Sequence, residues 1–143
     1  MTDIDFHFNA ADKLSHGCRL VRKAFASGAC VVVTGETSLL DDMDLALWRA
    51  YATEFVAHCR DDAAPGVLSR SPVVLTGSAR RALPHQQVLV NLGATVPEGF
   101  ERFERLIDIV TDDERDRQAG RARWRHYAER GYTMRRHDLR DGA

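Results

Sequence analysis

No stretch of this chain stays apolar for long. The longest uninterrupted hydrophobic run is residues 29–33, against the roughly 20 residues needed to cross a bilayer, and no apolar segment follows the polar N-terminus. Neither a membrane-spanning helix nor a secretory signal is therefore expected, and the protein is expected to be soluble and cytoplasmic. Cysteine is scarce and unpatterned. Cys18, Cys30 and Cys59 are odd in number, lack CxxC spacing and sit in or beside apolar stretches, so they read as buried thiols in a reducing compartment, neither a disulfide framework nor a metal site. Signatures of catalysis are missing too. The turn Gly35-Glu36-Thr37 has neither the second glycine nor the lysine of a phosphate loop, no GxGxxG or GxSxG occurs, and the histidines show no HxxxH spacing. An enzyme reading would rest on fold analogy alone; no cofactor and no catalytic residue is expected.

Net charge is nearly absent at -1, but the total conceals a segregation. Residues 115–140 carry nine arginines against three acids, a net +6, whereas residues 1–114 carry 11 cations against 17 anions, a net -6. A field divided in this way points to an anionic partner for the C-terminal end, either protein or nucleic acid.

With 143 residues, 44% of them hydrophobic, there is room for one domain with a real core and none for a second; the unit is taken as 1–143. Ile4, Phe6 and Phe8 alternate as in a strand. Ala11, Leu14, Cys18, Val21 and Phe25 recur at helical steps, with Gly28 placed to stop the helix. Residues 29–33 are apolar on both faces, as in a central parallel strand covered on both sides. A second helix is predicted over 38–50, with Leu40, Met43 and Leu47 inward and Asp41, Asp42 and Asp44 in early turns where the helix dipole favours acids. A polar loop around Pro65 and Gly66 follows, then strands at 73–76 and 88–92. A short helix at 98–106 leads into a strand at 107–110. The last helix opens with a capping box, Thr111 to Glu114, and ends near Gly131. Strands alternating with helices predict a single-domain three-layer α/β/α sandwich with a mostly parallel sheet.

The last helix carries most of the functional information. At 100° per residue and with Arg117 at zero, Arg121 lies at about 40°, Arg125 at about 80° and Trp124 at about -20°. Ala119 and Tyr127 fall on a separate arc that can serve as the core face, so Trp124 is not needed there. Three guanidiniums and an indole on one arc, without regularly spaced acidic partners, suit an anionic ligand with an apolar or aromatic end. The same face could instead hold the phosphates of single-stranded nucleic acid while Trp124 stacks on a base. A plain solvated basic face, with Trp124 folded under a neighbouring strand, is the third possibility.

Three blocks of residues resemble the chi subunit of bacterial DNA polymerase III. They are Phe6-His7-Phe8; Leu45-Ala46-Leu47-Trp48 through Glu54-Phe55-Val56-Ala57-His58; and 88–92 through Phe100, Phe103, Asp108 and Val110 to Arg123-Trp124-Arg125-His126-Tyr127 and Gly131-Tyr132. The resemblance implies a Rossmann-like domain that has lost nucleotide binding, a non-catalytic accessory subunit of the polymerase III holoenzyme. It implies two protein partners, with nucleic acid reached only indirectly. One is the acidic, phenylalanine-ending C-terminal tail of single-stranded DNA-binding protein, held at Val110, Arg117, Arg121, Trp124 and Arg125. The other is the psi subunit of the clamp loader, held at Trp48 and Phe55. Prolines common in the second block are here Tyr51 and Ala57.

Overall fold

The computed structural model describes residues 1–49, 56–80 and 82–140. The described elements are β1 (Asp3–Ala10), α1 (Lys13–Ala26), β2 (Val31–Thr34), α2 (Thr37–Arg49), β3 (His58–Arg60), α3 (Pro65–Arg70), β4 (Val73–Thr76), β5 (Val88–Asn91), a 3-10 turn (Phe100–Arg102), β6 (Arg105–Thr111), α4 (Glu114–Glu129) and β7 (Met134–Asp138). The seven strands form one sheet in the order β3-β4-β2-β5-β6-β1-β7, and every pairing is parallel. Strand periodicity divides the core in two. Val31, Val33, Val73, Leu75 and Ile109 meet α1 and α2 on one face. Val32, Val74, Leu89, Leu106 and Val110 meet Tyr127 of α4 on the other. The expected three-layer parallel architecture is what the chain adopts.

Particular elements depart from expectation. Pro65 and Gly66 open a short helix instead of a loop, with proline in the first turn where its missing N–H costs nothing. The helix predicted over 98–106 shrinks to one 3-10 turn. Gly99 enters it at φ +87° and Phe103 leaves it extended, so Phe100, Phe103 and Leu106, whose three-residue spacing imitates a helix, reach the core from a turn and a strand. The capping box is displaced by two residues. Thr111 still belongs to β6, Asp113 is the N-cap and accepts from the Asp116 N–H, and the Asp116 carboxylate reaches back to the Thr111 N–H at 2.7 Å. The acids of α2 begin after its first turn and serve cross-element pairs instead of the dipole: Asp44 with His58 at 2.9 Å and Asp41 with Arg60 at 2.5 Å. Cys18 and Cys59 are buried as expected, but Cys30 is only half-buried. Finally, β7 has no counterpart in the sequence reading, because its residues Met-Arg-Arg-His-Asp show no apolar alternation; it is a short, charged edge strand.

At the carboxyl ends of the strands, where such sheets commonly hold ligands, Lys13 ties three elements together. Its Nζ donates to the Leu92 carbonyl at 3.0 Å and pairs with Asp116 at 2.8 Å. Burial by itself would raise the Asp116 carboxyl, but hydrogen bonds from Lys13 and Thr111 hold it below its ordinary value, so the carboxylate stays ionised.

On the α1 face the β1–β7 edge is polar. Asp5 is buried among Arg135 (2.9 Å), His137 (3.0 Å) and Arg105 (3.3 Å). Next along β1, His7 Nδ1 lies 2.9 Å from His16 Nε2, and its ring centroid is 4.7 Å from that of His137. Burial, and then repulsion from His16 and His137, push His7 down from 6.5 to about 4. In that window the unfolded chain accepts a proton that the folded chain refuses, so stability is full above pH 6.5 and falls as the pH drops toward 4. Asp5 is held below its ordinary value despite the burial that opposes this, so its contribution is lost only at lower pH. The expected loss across the His7 window is roughly 1–2 kcal/mol, after discounting for partial exposure. Urea unfolding at stepped pH checks this: His7→Gln should flatten the profile, and an unchanged slope would exclude His7 as its source.

Candidate functional site

A groove of about 620 Å³ opens between α4 and the β1–β7 edge of the sheet. Its floor follows from strand register. Alternation along β1 sends Phe6 and Phe8 to the α4 face, and Val110 near the end of β6 faces the same way. The helix descends onto this floor at Gly120, where a Cβ would stand 2.7 Å from Val110 Cγ2, too close for any other residue without displacement. Trp124 closes the floor half-buried, with its ring edge-on to Phe6 at 5.1 Å.

The helix is fixed by a contact that spacing alone does not reveal. Arg123, about 160° round the helix from Arg121, is 1% exposed. Its Nε donates to both oxygens of Asp108 at 3.0 Å, and a terminal nitrogen donates to the Ala94 carbonyl at 2.8 Å. The Tyr127 hydroxyl donates to Asp108 at 3.0 Å. Burial raises the Asp108 carboxyl above its ordinary value, and Arg123, Tyr127 and Asn91 oppose that rise. Burial and the Asp108 charge also push the Tyr127 hydroxyl up, so it stays a donor. The core arc of α4 is therefore Gly120, Arg123 and Tyr127; Ala119 is only half-buried. Arg123, counted among the nine cations of the basic segment, does not belong to its surface. Trp124 lies at the margin between core arc and arginine arc, so it serves the core in part, contrary to the expectation that the core does not need it.

The structure brings Val110, Arg117, Arg121, Trp124 and Arg125 to this one groove. Arg117 and Arg121 share one acid, Glu114, at 4.0 and 3.6 Å; pairs this exposed contribute about 0–1 kcal/mol. The Arg125 side chain makes no hydrogen bond or ion pair among the described residues. The opposite wall, which sequence reasoning missed with β7, supplies Arg136 and Arg140. Arg136 lies over the Phe8 ring at 5.2 Å and the Trp124 ring at 6.0 Å. The signal for this wall was the arginine density beyond Gly131, unassigned to any element. Chemically, the groove offers an apolar floor for one ring and guanidiniums for several carboxylates or phosphates.

Trp48 lies elsewhere, on α2, which covers the opposite face of the sheet. It is 54% exposed, with Leu45 beside it at 50%, and its ring rests 4.8 Å from that of His58. His58 is held by the Val56 carbonyl and Asp44, at 2.8 and 2.9 Å. Trp48 is thus a surface aromatic on a fixed support. Phe55, its expected companion, and Tyr51 lie outside the described residues. Among the described residues, no group of three His, Cys, Asp or Glu side chains is arranged to hold a metal ion, and no helix is long and apolar enough to cross a membrane.

Comparison with known proteins bears on the family of the chain. Residues 1–135 match the family described as DNA polymerase III chi subunit, HolC. The DNA polymerase III subunit chi of Pseudomonas aeruginosa is 30% identical over 146 residues, covering 97% of this chain and 98% of that protein. That of Haemophilus influenzae is 25% identical over 118 residues, covering 82% and 81%. That of Escherichia coli is 24% identical over 118 residues, covering 82% and 79%.

Proposed function

The chain belongs to the DNA polymerase III chi subunit family, and from that premise we propose that it is a non-catalytic docking subunit of the replication machinery. Its groove holds the acidic, phenylalanine-ending C-terminal tail of single-stranded DNA-binding protein. Its Trp48 surface holds the psi subunit of the clamp loader. The observation that carries the first assignment is the pairing of one apolar floor, Val110 and Trp124, with the arginine row Arg117, Arg121 and Arg125. A terminal phenylalanine presents a ring and a carboxylate on one residue, and upstream acids extend the charge along the row. Support for the second assignment is an exposed aromatic backed by a buried, hydrogen-bonded histidine, the kind of anchor that dominates interfaces. Because α2 and α4 cover opposite faces of the sheet, both partners can be held at once.

The test is calorimetric titration with an acidic peptide ending in phenylalanine, with the same peptide lacking that residue, and with an oligonucleotide. Arg121→Ala or Arg125→Ala is expected to weaken the full peptide ten- to hundred-fold, since a charge-assisted hydrogen bond contributes about 1.5–3 kcal/mol. Added salt should weaken it further, because charges beyond about 8 Å are screened at physiological ionic strength. Equal binding of the full and truncated peptides would mean a basic patch without a ring pocket, and tighter binding of the oligonucleotide would favour a direct nucleic-acid module. In a parallel arm, Trp48→Ala should lose co-purification with psi while its melting temperature stays near that of the parent; loss of several kcal/mol of stability would instead return Trp48 to the core.

A further inference from the structure

Strand alternation divides the basic side chains of β7 unequally. Arg135 and His137 turn to the α1 face, where the Asp5 carboxylate stands 2.9 and 3.0 Å from them. Arg136 turns to the groove, where it meets no acid: among the described residues its side chain makes no ion pair or hydrogen bond, only the stacking contacts on Phe8 and Trp124. An exposed guanidinium fixed over two rings, with its N–H edge unused, is prepared to fork onto a carboxylate while remaining stacked.

Position then distinguishes it from the α4 row. Arg117, Arg121 and Arg125 succeed one another by one helical turn, spanning roughly 12 Å. An extended peptide rising about 3.3 Å per residue passes that span in about four residues, so the row suits successive acidic side chains. A terminal aromatic residue, by contrast, carries ring and α-carboxylate on one Cα. The group that takes the carboxylate must stand beside the wall that takes the ring, and Arg136 is the guanidinium seated on that wall. The geometry points to Arg136 as the residue that reads the free C-terminus of the bound peptide, with the α4 row reading the acids upstream. This assignment rests on the groove being the tail site.

Two peptides suffice to test it, identical in sequence and ending in phenylalanine, one with a free carboxylate and one with a carboxamide. The unmodified protein is expected to prefer the free acid by about tenfold or more. Arg136→Gln should bind both forms equally, near the affinity of the unmodified protein for the amide, whereas Arg121→Gln should bind both more weakly and keep the preference. Arg136→Lys, which retains the charge without the planar fork, should keep only part of it. An undiminished preference in Arg136→Gln and Arg136→Lys, or its loss in Arg121→Gln, overturns the assignment. An unmodified protein that binds neither peptide overturns the tail reading itself and this assignment with it. An unmodified protein that binds both forms equally overturns the Arg136 assignment alone.

Discussion

Arg123→Ala is expected to lower the free energy of unfolding by about 3–5 kcal/mol, the usual consequence of leaving one member of a buried ion pair without its partner. The guanidinium is 1% exposed and the Asp108 carboxylate is fully buried. Removing the arginine would strand that carboxylate with only neutral donors, Tyr127 and Asn91, and would free the Ala94 carbonyl. A surface arginine in the same basic segment would give a change within about 0.5 kcal/mol, so the experiment distinguishes two places for one residue type. Urea denaturation of Arg123→Ala beside Arg125→Ala makes the comparison. Asp108→Leu combined with Arg123→Met, which removes both charges at similar volume, should recover much of the loss. A single variant losing under 1 kcal/mol would show that the pair does not anchor α4.

Trp124→Ala should act twice. Truncating a fully buried aromatic costs about 3–5 kcal/mol; Trp124 is half-buried against Phe6, so roughly 2 kcal/mol of stability is expected to go. The variant also loses the wall of the groove and the seat of Arg136, so its affinity for the phenylalanine-ending peptide should fall further than that of any single arginine variant. Trp124→Phe should keep most of both. The informative control is the peptide without its terminal phenylalanine, whose affinity should differ far less between Trp124→Ala and the parent, because neither complex then buries a terminal ring. Undiminished binding of the full peptide by Trp124→Ala would show that the indole is a core residue with no part in recognition.

Which features are legible in the sequence follows from how local their causes are. Strands β4 and β5 can be read directly, since parallel strands buried on both faces leave continuous apolar runs such as Val73-Val74-Leu75. The arginine arc of α4 is equally readable, because a rotation of 100° per residue is all it needs. Arg123 is readable only in part: spacing places it between Ala119 and Tyr127 on the core arc, but that a charged residue is buried there depends on Asp108 in another element. β7 is hidden for a different reason: an edge strand in water has no apolar face to reveal it. The second wall of the groove was lost with it. The apparent helix at 98–106 shows the opposite error, in which a periodicity of three produced by a turn and a strand suggests an element that Gly99 interrupts.

The place of β1 in the sheet sets a timetable for the growing chain. It lies between β6 and β7, with Asp3 opposite Arg105 and Ile4 opposite Met134, so both its neighbours are made after most of the described chain. At about 5–20 residues per second the ribosome needs on the order of ten seconds to supply them, and during that time Ile4, Phe6 and Phe8 have no sheet to join. The early β2–α2–β3–α3–β4 half can meanwhile assemble from near neighbours, whose short loops close quickly. The groove draws Phe8 from the beginning of this span, Val110 from β6, Trp124 from α4 and Arg136 from its end, so it does not exist in part. A nascent chain carries no half-built groove, and the partner proposed for it could engage only after the last strand has closed the sheet.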